Sequence, residues 1–265
     1  MSECGDEFFE LAEKTLRDLF DKAKGINEVQ FVRSMCPEFR GSQDPGWCTW
    51  EETDRAFEEY LGFIKNEKQS PFKTRVVLGF YCHLSEASGF YECPKNLLRL
   101  VGGECYRMWP FLELNRSHGV MGEKIAPNAN KVFKDLIGHA TELGLKDLAA
   151  VFENAFDPKI RNAYSHSDYI LWKDGFRIRN QACGHPEVIP WNEFEKKINR
   201  GVNFYHLIKE LIKEYLSTYH EPVDFYGCIG NDGHKCWWRI GIENETGQLY
   251  IKSTNPPNKT NATDC

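Results

Sequence analysis

Arg161, Asn162 and His166 stand close together in the stretch DPKIRNAYSHSDYIL, which runs from Asp157 to Leu171. Histidine gives and takes protons near neutral pH. Arginine holds phosphate with a planar fork and keeps its charge, so it stabilises the extra negative charge of a phosphoryl transition state. The set suits a phosphodiester. RNA brings its own nucleophile, the 2′-hydroxyl, so no metal is required if the histidine handles the proton. Asn162 would hold either the imidazole or a phosphate oxygen.

The spacing limits what one copy can do. A helix advances about 100° per residue, so Asn162 and His166, four apart, share a face. Arg161 and His166 are five apart, roughly 140° around the axis. One helix brings their polar ends together poorly. Two such helices packed across a twofold axis would converge two arginines and two histidines on one cleft.

The elements that must position these residues are mostly helices. Asp157-Pro158 reads as an Asp cap followed by Pro in the first turn, which starts the motif helix. Apolar residues recur at helical spacing over Asp6–Lys24, with Gly25 as a stop, and from a Thr49 capping box (Glu52 three residues on) to Lys65. Cys36–Trp50, dense in Gly, Pro, Ser and Asp, reads as a loop. Phe72–Glu86 is apolar enough for a buried helix, though Val76-Val77 and the aromatics leave a strand open. Further helices are expected from Pro94 over Asn96–Met108, from Pro127 to a stop at Gly144, and over Leu145–Phe156. After the motif, YILWKDGFRIR reads as a hairpin around Asp174-Gly175. Trp191–Tyr219 reads as a long helix, bent near Gly201. WWRIGI and QLYIKS read as a second hairpin, and the polar tail as frayed. The fold class is therefore mainly α. A helical domain spans 1–220, with a β-hairpin insertion after the motif helix, and a small β appendage spans 221–265.

Composition agrees with an ordered chain: 265 residues, 41% hydrophobic and 27% charged. The net charge of −6 argues against coating nucleic acid by bulk charge. From Asp157 to Arg200, however, eight Lys or Arg face six Asp or Glu, a surplus of two that leaves −8 on the remainder. An anionic ligand is favoured there if anywhere. The N-terminal MSECGDEFFELAEK lacks a basic region followed by an apolar core, so no signal peptide is read. No apolar run approaches the ~20 residues of a membrane span. A cytoplasmic protein without a membrane partner is expected. Its ten cysteines would be mostly reduced, and the sequons at Asn115, Asn244, Asn258 and Asn261 would be chance matches.

The string Arg161-Asn162-x-x-x-His166 resembles the signature of the HEPN (higher eukaryotes and prokaryotes nucleotide-binding) superfamily: Arg, a polar residue, then His after a short spacer. The resemblance covers roughly Pro127–Tyr219. It implies an all-α bundle with the motif in a late helix, and a homodimer with both motifs at the interface. It implies a metal-independent endoribonuclease, of the kind found as toxins or antiviral defence effectors, with RNA as substrate and an antitoxin or regulatory partner. Arg161 would bind the scissile phosphate. His166 would act as general acid-base or orient the phosphate, and Asn162 would position one of them. No cofactor or metal is implied. Some members keep the fold and only bind nucleotides or partners, which is the alternative.

Other constellations carry less. Cys228, His234 and Cys236 lack the usual zinc spacing and a clear fourth ligand; Cys183 and His185 would have to complete the site through tertiary contact. Cys82 and His83 are neighbours on a helix and point apart. Gly102-Gly103 lacks the Lys-Ser/Thr of a phosphate loop. Trp237 and Trp238, adjacent in a strand, face opposite sides; one packs inward, and the other is free for packing, an interface or base stacking. Lys196, Lys197 and Arg200 form a basic patch, read first as a solvated face and second as an RNA contact.

Overall fold

The computed structural model describes residues 3–36, 49–118, 123–180, 184–228, 235–243, 245 and 249–255. The N-terminal amphipathic run forms α1 (Glu3–Ile26), with Leu16, Leu19, Phe20 and Ala23 buried along one side. Gly25 does not stop it. An exposed Gly near a helix end costs only about 1 kcal/mol. The break comes at Asn27, whose side chain accepts the Gln30 N–H and starts α2 (Glu28–Ser34).

The expected loop at Cys36–Trp50 lies mostly outside the described residues, as does the Thr49 side chain of the expected cap. The chain continues in α3 (Thr49–Asn66) and α4 (Pro71–Glu86). Ser70 caps α4 through the Lys73 N–H and Pro71 fills its first turn, which settles Phe72–Glu86 as helix. Next, α5 (Ser88–Val101) departs from expectation: it starts before Pro94 and ends at Gly102–Gly103, where Gly103 takes φ +80°. Phe90, Tyr91, Cys93, Leu97, Leu98 and Leu100 are buried along it. That burial outweighs the one backbone hydrogen bond that Pro94 removes.

A small antiparallel pair, β1 (Arg116–His118) and β2 (Glu123–Ile125), precedes α6 (Ala129–Glu142). Asn128, rather than Pro127, caps α6 by accepting the Lys131 N–H at 3.2 Å. After α7 (Lys146–Ala155) comes the motif helix α8 (Pro158–Ser165). The hairpin that follows is β3 (Tyr169–Trp172) and β4 (Gly175–Ile178). Its turn is Lys173–Asp174, because Trp172 pairs with Gly175. A third strand, β5 (Glu187–Pro190), pairs with β4, so the insertion is a three-stranded sheet and not a hairpin. The long helix α9 (Trp191–Ser217) follows as expected.

The C-terminal appendage is likewise a three-stranded antiparallel sheet, in the order β6 (Val223–Cys228), β7 (Lys235–Ile242), β8 (Leu249–Thr254). The sequence reading missed β6 because its Gly and Cys blur the alternation. Ile240 is fully buried, and Phe225, Trp238 and Ile251 pack against the same hydrophobic core as the helices.

In that core, α9 lies against α1, α4 and α7, while α5 packs on α1, α2 and α6. Phe57 and Phe90 stack on Tyr205 of α9, with ring centroids 5.2 and 4.0 Å away. Lys209 of α9 is buried and holds α3 through Asp54 and Glu58 at 2.5 and 2.6 Å. The expected bend near Gly201 has a packing counterpart: a Cβ there would lie 2.6 Å from the Tyr81 ring and 2.9 Å from the Ala155 carbonyl oxygen. Gly201 thus lets α4 and α9 approach closely. The architecture is mainly helical with small antiparallel sheets. Among the described residues no helix is long and apolar enough to cross a membrane.

Candidate functional site: the Arg161–Asn162–His166 helix

The motif helix α8 is seated on α4 by three contacts along its length. At its start, the Asp157 N–H donates to the Tyr81 hydroxyl at 2.6 Å. Asp157 Oδ1 caps the helix by accepting the Lys159 and Ile160 N–H groups, while Oδ2 pairs with Lys197 at 2.8 Å. Ile160 and Ala163 are buried beneath it. Near its end, the Tyr164 hydroxyl lies over Gly79 so closely that a Cβ there would be 3.0 Å from it. Gly79, Cys82 and Glu86, spaced at three and four residues, present one face of α4 to the motif.

Glu86 makes the third contact, with Arg161. The Arg161 Nε donates to Glu86 Oε1 at 2.6 Å, and one terminal nitrogen also pairs with that oxygen. The other terminal nitrogen donates to Asn162 Oδ1 at 3.0 Å. Glu86 Oε2 in turn accepts the Ala129 N–H at 3.1 Å, at the N-terminus of α6 where a carboxylate is favoured by the helix dipole. Asn130 Nδ2 donates to Asn162 Oδ1 at 3.3 Å, and Asn130 Oδ1 is buried without a hydrogen-bond partner. The Arg161 side chain is 15% exposed. A guanidinium has five N–H donors. Three are used here, so two remain for an anion.

Asn162 therefore braces Arg161 in this chain. Among the described contacts, none joins its side chain to the imidazole of His166.

His166 ends the helix. Its N–H reaches the Asn162 carbonyl at 3.0 Å, and the chain then turns through Ser167 at φ 57°. The Ser167 N–H bonds the Tyr164 carbonyl and the Asp168 N–H the Ala163 carbonyl, a Schellman turn with Ser where Gly is usual. The imidazole is exposed, and among the described residues no hydrogen bond or ion pair fixes it. The residues that follow it in the chain, Ser167, Asp168 and Tyr169, line a cavity of about 360 Å³ together with Arg177 and Arg179 among others. Arg177 is paired with Asp174 at 2.8 Å. Arg179 is 74% exposed and only loosely paired with Asp168, at 3.5 Å. Of the two arginines that line the cavity it is the more loosely paired, and no local sequence signal singles it out.

The two ends of the motif thus differ. Arg161 is held and half-buried, and His166 is exposed and unrestrained. Nothing in one chain brings the two side chains into contact, in keeping with the helical spacing.

Two stability changes follow from this geometry. Glu86→Ala strips Arg161 and the Ala129 N–H of their acceptor at a partly exposed site; urea denaturation is expected to show a loss of about 1–2 kcal/mol. Ser167→Gly removes a left-handed non-glycine residue, whose cost is about 1–2 kcal/mol, against the greater chain entropy of Gly. The same measurement is expected to show a gain of about 0.5–1 kcal/mol.

The remaining constellations are resolved as follows. Cys82 is buried, with its thiol pushed up to about 12 by burial, while His83 is exposed. Lys197 is paired with Asp157 and Glu193, and Arg200 donates to Asn154 at 3.1 Å, so this patch is mostly engaged within the chain. Cys228 and Cys236 lie on paired strands one register apart, hence on opposite faces. His234 and Cys183 lie outside the described residues. No group of three or more metal-ligating side chains occurs among those described.

Compared with protein-family models, curated proteins and solved structures, the chain matches none.

Proposed function

We propose that the chain is a metal-independent endoribonuclease of HEPN type, acting as a homodimer in a toxin or antiviral defence role. The observation that carries this reading is the state of the motif. Arg161 is pre-positioned by Glu86 and Asn162 with N–H donors to spare. His166 stands exposed, one residue before the Ser167–Tyr169 wall of a cavity that Arg179 also lines. The 2′-hydroxyl attacks the adjacent phosphorus as the P–O5′ bond breaks; His166 takes the 2′-hydroxyl proton and a proton returns to the departing 5′-oxygen, while Arg161 meets the charge that grows on the phosphoryl oxygens. The product ends are then a 2′,3′-cyclic phosphate and a 5′-hydroxyl.

The second copy supplies the histidine that Arg161 lacks in its own chain. Its place is the outer face of the β3–β5 sheet, which leaves the motif helix at His166. Tyr169, Leu171, Phe176 and Ile189 pack inward from this sheet. Ile170 and Trp172 point outward, 61% and 54% exposed, and Val188 stands in the same row as Ile170 across Arg177. Exposed apolar side chains in such a cluster are what an interface between copies buries.

A non-catalytic HEPN module that binds a nucleotide or a protein is the second reading. The Arg161–Glu86 pair favours its protein-binding form, because a guanidinium already matched by a carboxylate attracts an anion less strongly.

The test is incubation with mixed RNAs in excess EDTA, beside Arg161→Ala and His166→Ala. Cleavage by the unaltered protein alone, leaving cyclic phosphate ends, supports the enzyme. No cleavage of any RNA, or equal cleavage by the variants, sinks it.

A further inference from the structure

The C-terminal sheet has two unlike faces. Strand pairing aligns Val223 with Ile240 and Ile251, and Phe225 with Trp238 and Ser253. This face lies on the helical core, where the Trp238 indole N–H donates to the Gly227 carbonyl at 3.0 Å. The alternate residues form the outer face: Tyr226 beside Trp237, Asp224 beside Arg239 and Lys252, Gly241 beside Tyr250, and Cys228 beside Lys235. Three aromatic rings and three cations therefore share one surface with one carboxylate.

The outer face is built for flat, anionic ligands. Tyr226 is 60% exposed, and its ring centroid is 5.5 Å from that of Trp237, at the neighbouring position across the strands. Tyr250 lies across Gly241, where a Cβ would fall 2.7 Å from its hydroxyl; only Gly allows the ring down onto the sheet. Lys252 stands over that ring at 4.8 Å. Asp224 grips Arg239 with two bonds of 2.7 Å. Lys235 and Lys252 are exposed and have no carboxylate partner among the described residues. A protein of net charge −6 has here a local surplus of positive charge around one exposed ring, Tyr226, and two half-buried ones, Trp237 and Tyr250.

We propose that this face is a binding platform for single-stranded RNA. Bases stack on Tyr226 and Trp237, and the backbone phosphates meet Lys235 and Lys252. Stacking needs unpaired bases, because a duplex hides their faces. The cations alone would attract either form. The platform is separate from the motif, so it binds whether or not the motif cuts.

The experiment is fluorescence anisotropy of the full chain with a labelled 2′-O-methyl RNA dodecamer of mixed sequence, single-stranded or annealed to its complement, at several salt concentrations. This RNA lacks the nucleophile, so binding is read independently of cleavage. The expected result is binding of the single strand at least tenfold tighter than of the duplex. Tyr226→Ala with Trp237→Ala is expected to weaken it about tenfold or more. Lys235→Glu with Lys252→Glu, two surface changes that spare the core, is expected to weaken it and to flatten the salt slope by roughly 1.4, at about 0.7 per phosphate contact. Equal affinity for duplex and single strand, no binding, or unaltered binding by the folded charge variant overturns the platform. Cleavage without an effect of the sheet variants defeats this inference alone; sheet-dependent binding without cleavage defeats the ribonuclease alone.

Discussion

Arg161→Ala and His166→Ala are each expected to abolish RNA cleavage while leaving a folded protein. Losing a preorganised donor to a developing oxyanion lowers turnover about 10²–10³-fold. Losing a general acid-base lowers it about 10²–10⁴-fold. The two variants differ in stability. His166 is exposed and makes no side-chain hydrogen bond among the described residues, so its removal is expected to leave the melting temperature unchanged. Arg161→Ala leaves Glu86 with only the Ala129 N–H and is expected to lower it by a few degrees. Arg161→Lys is the sharper control. Lysine keeps the charge but cannot donate to Glu86, to Asn162 and to phosphate from one rigid fork. Turnover near the unaltered level in Arg161→Lys would show that charge alone is needed. Single-turnover cleavage with a fluorescent oligoribonucleotide, run beside a thermal melt, separates these outcomes.

The second large effect is expected at the dimer. Ile170→Glu with Trp172→Glu places two carboxylates on the outer face of the β3–β5 sheet, away from the core-facing Tyr169 and Leu171. A buried unpaired charge at an interface centre costs upwards of about 2 kcal/mol, roughly 30-fold in dissociation constant. Sedimentation is expected to show the unaltered chain as a dimer and the variant as a folded monomer. Cleavage is expected to fall with the dimer and to recover in part at high protein concentration. A monomeric unaltered chain, or a monomeric variant that still cuts RNA, contradicts the shared site.

The sequence made the motif helix legible because its signals are local. Asp157 and Pro158 fix its start through one side chain and one ring, and the structure shows both in place. The helix periods of α7 and α9 were legible for the same reason, since each buries a continuous apolar face, whereas α4 stayed open between helix and strand until Ser70 and Pro71 were seen to start it. Pro94 misled because its local preference competes with the burial of Phe90, Tyr91 and Cys93, a tertiary effect that no window of sequence displays. The missed strands β1, β2, β5 and β6 are short, and β5 and β6 carry Pro, Gly or Cys, so their pairing depends on the partner strand. The partners of Arg161 were hidden for a related reason. Glu86 lies 75 residues away on α4, and Asn130 lies 32 residues from Asn162. Only the seating of α8 on α4, with the start of α6 reaching Asn162 and Glu86, brings them together. The angular separation of Arg161 and His166, by contrast, was readable from residue number alone. It led directly to the expectation of a second copy.

Mixing two inactive variants tests that expectation most directly. Arg161→Ala retains His166, and His166→Ala retains Arg161. If the active cleft joins Arg161 of one copy to His166 of the other, a mixed dimer contains one intact pair. The account predicts that equal amounts of the two variants, dissociated and reassociated together, cleave RNA in excess EDTA well above either alone. A mixture as inert as its components, beside an active unaltered dimer, would contradict it.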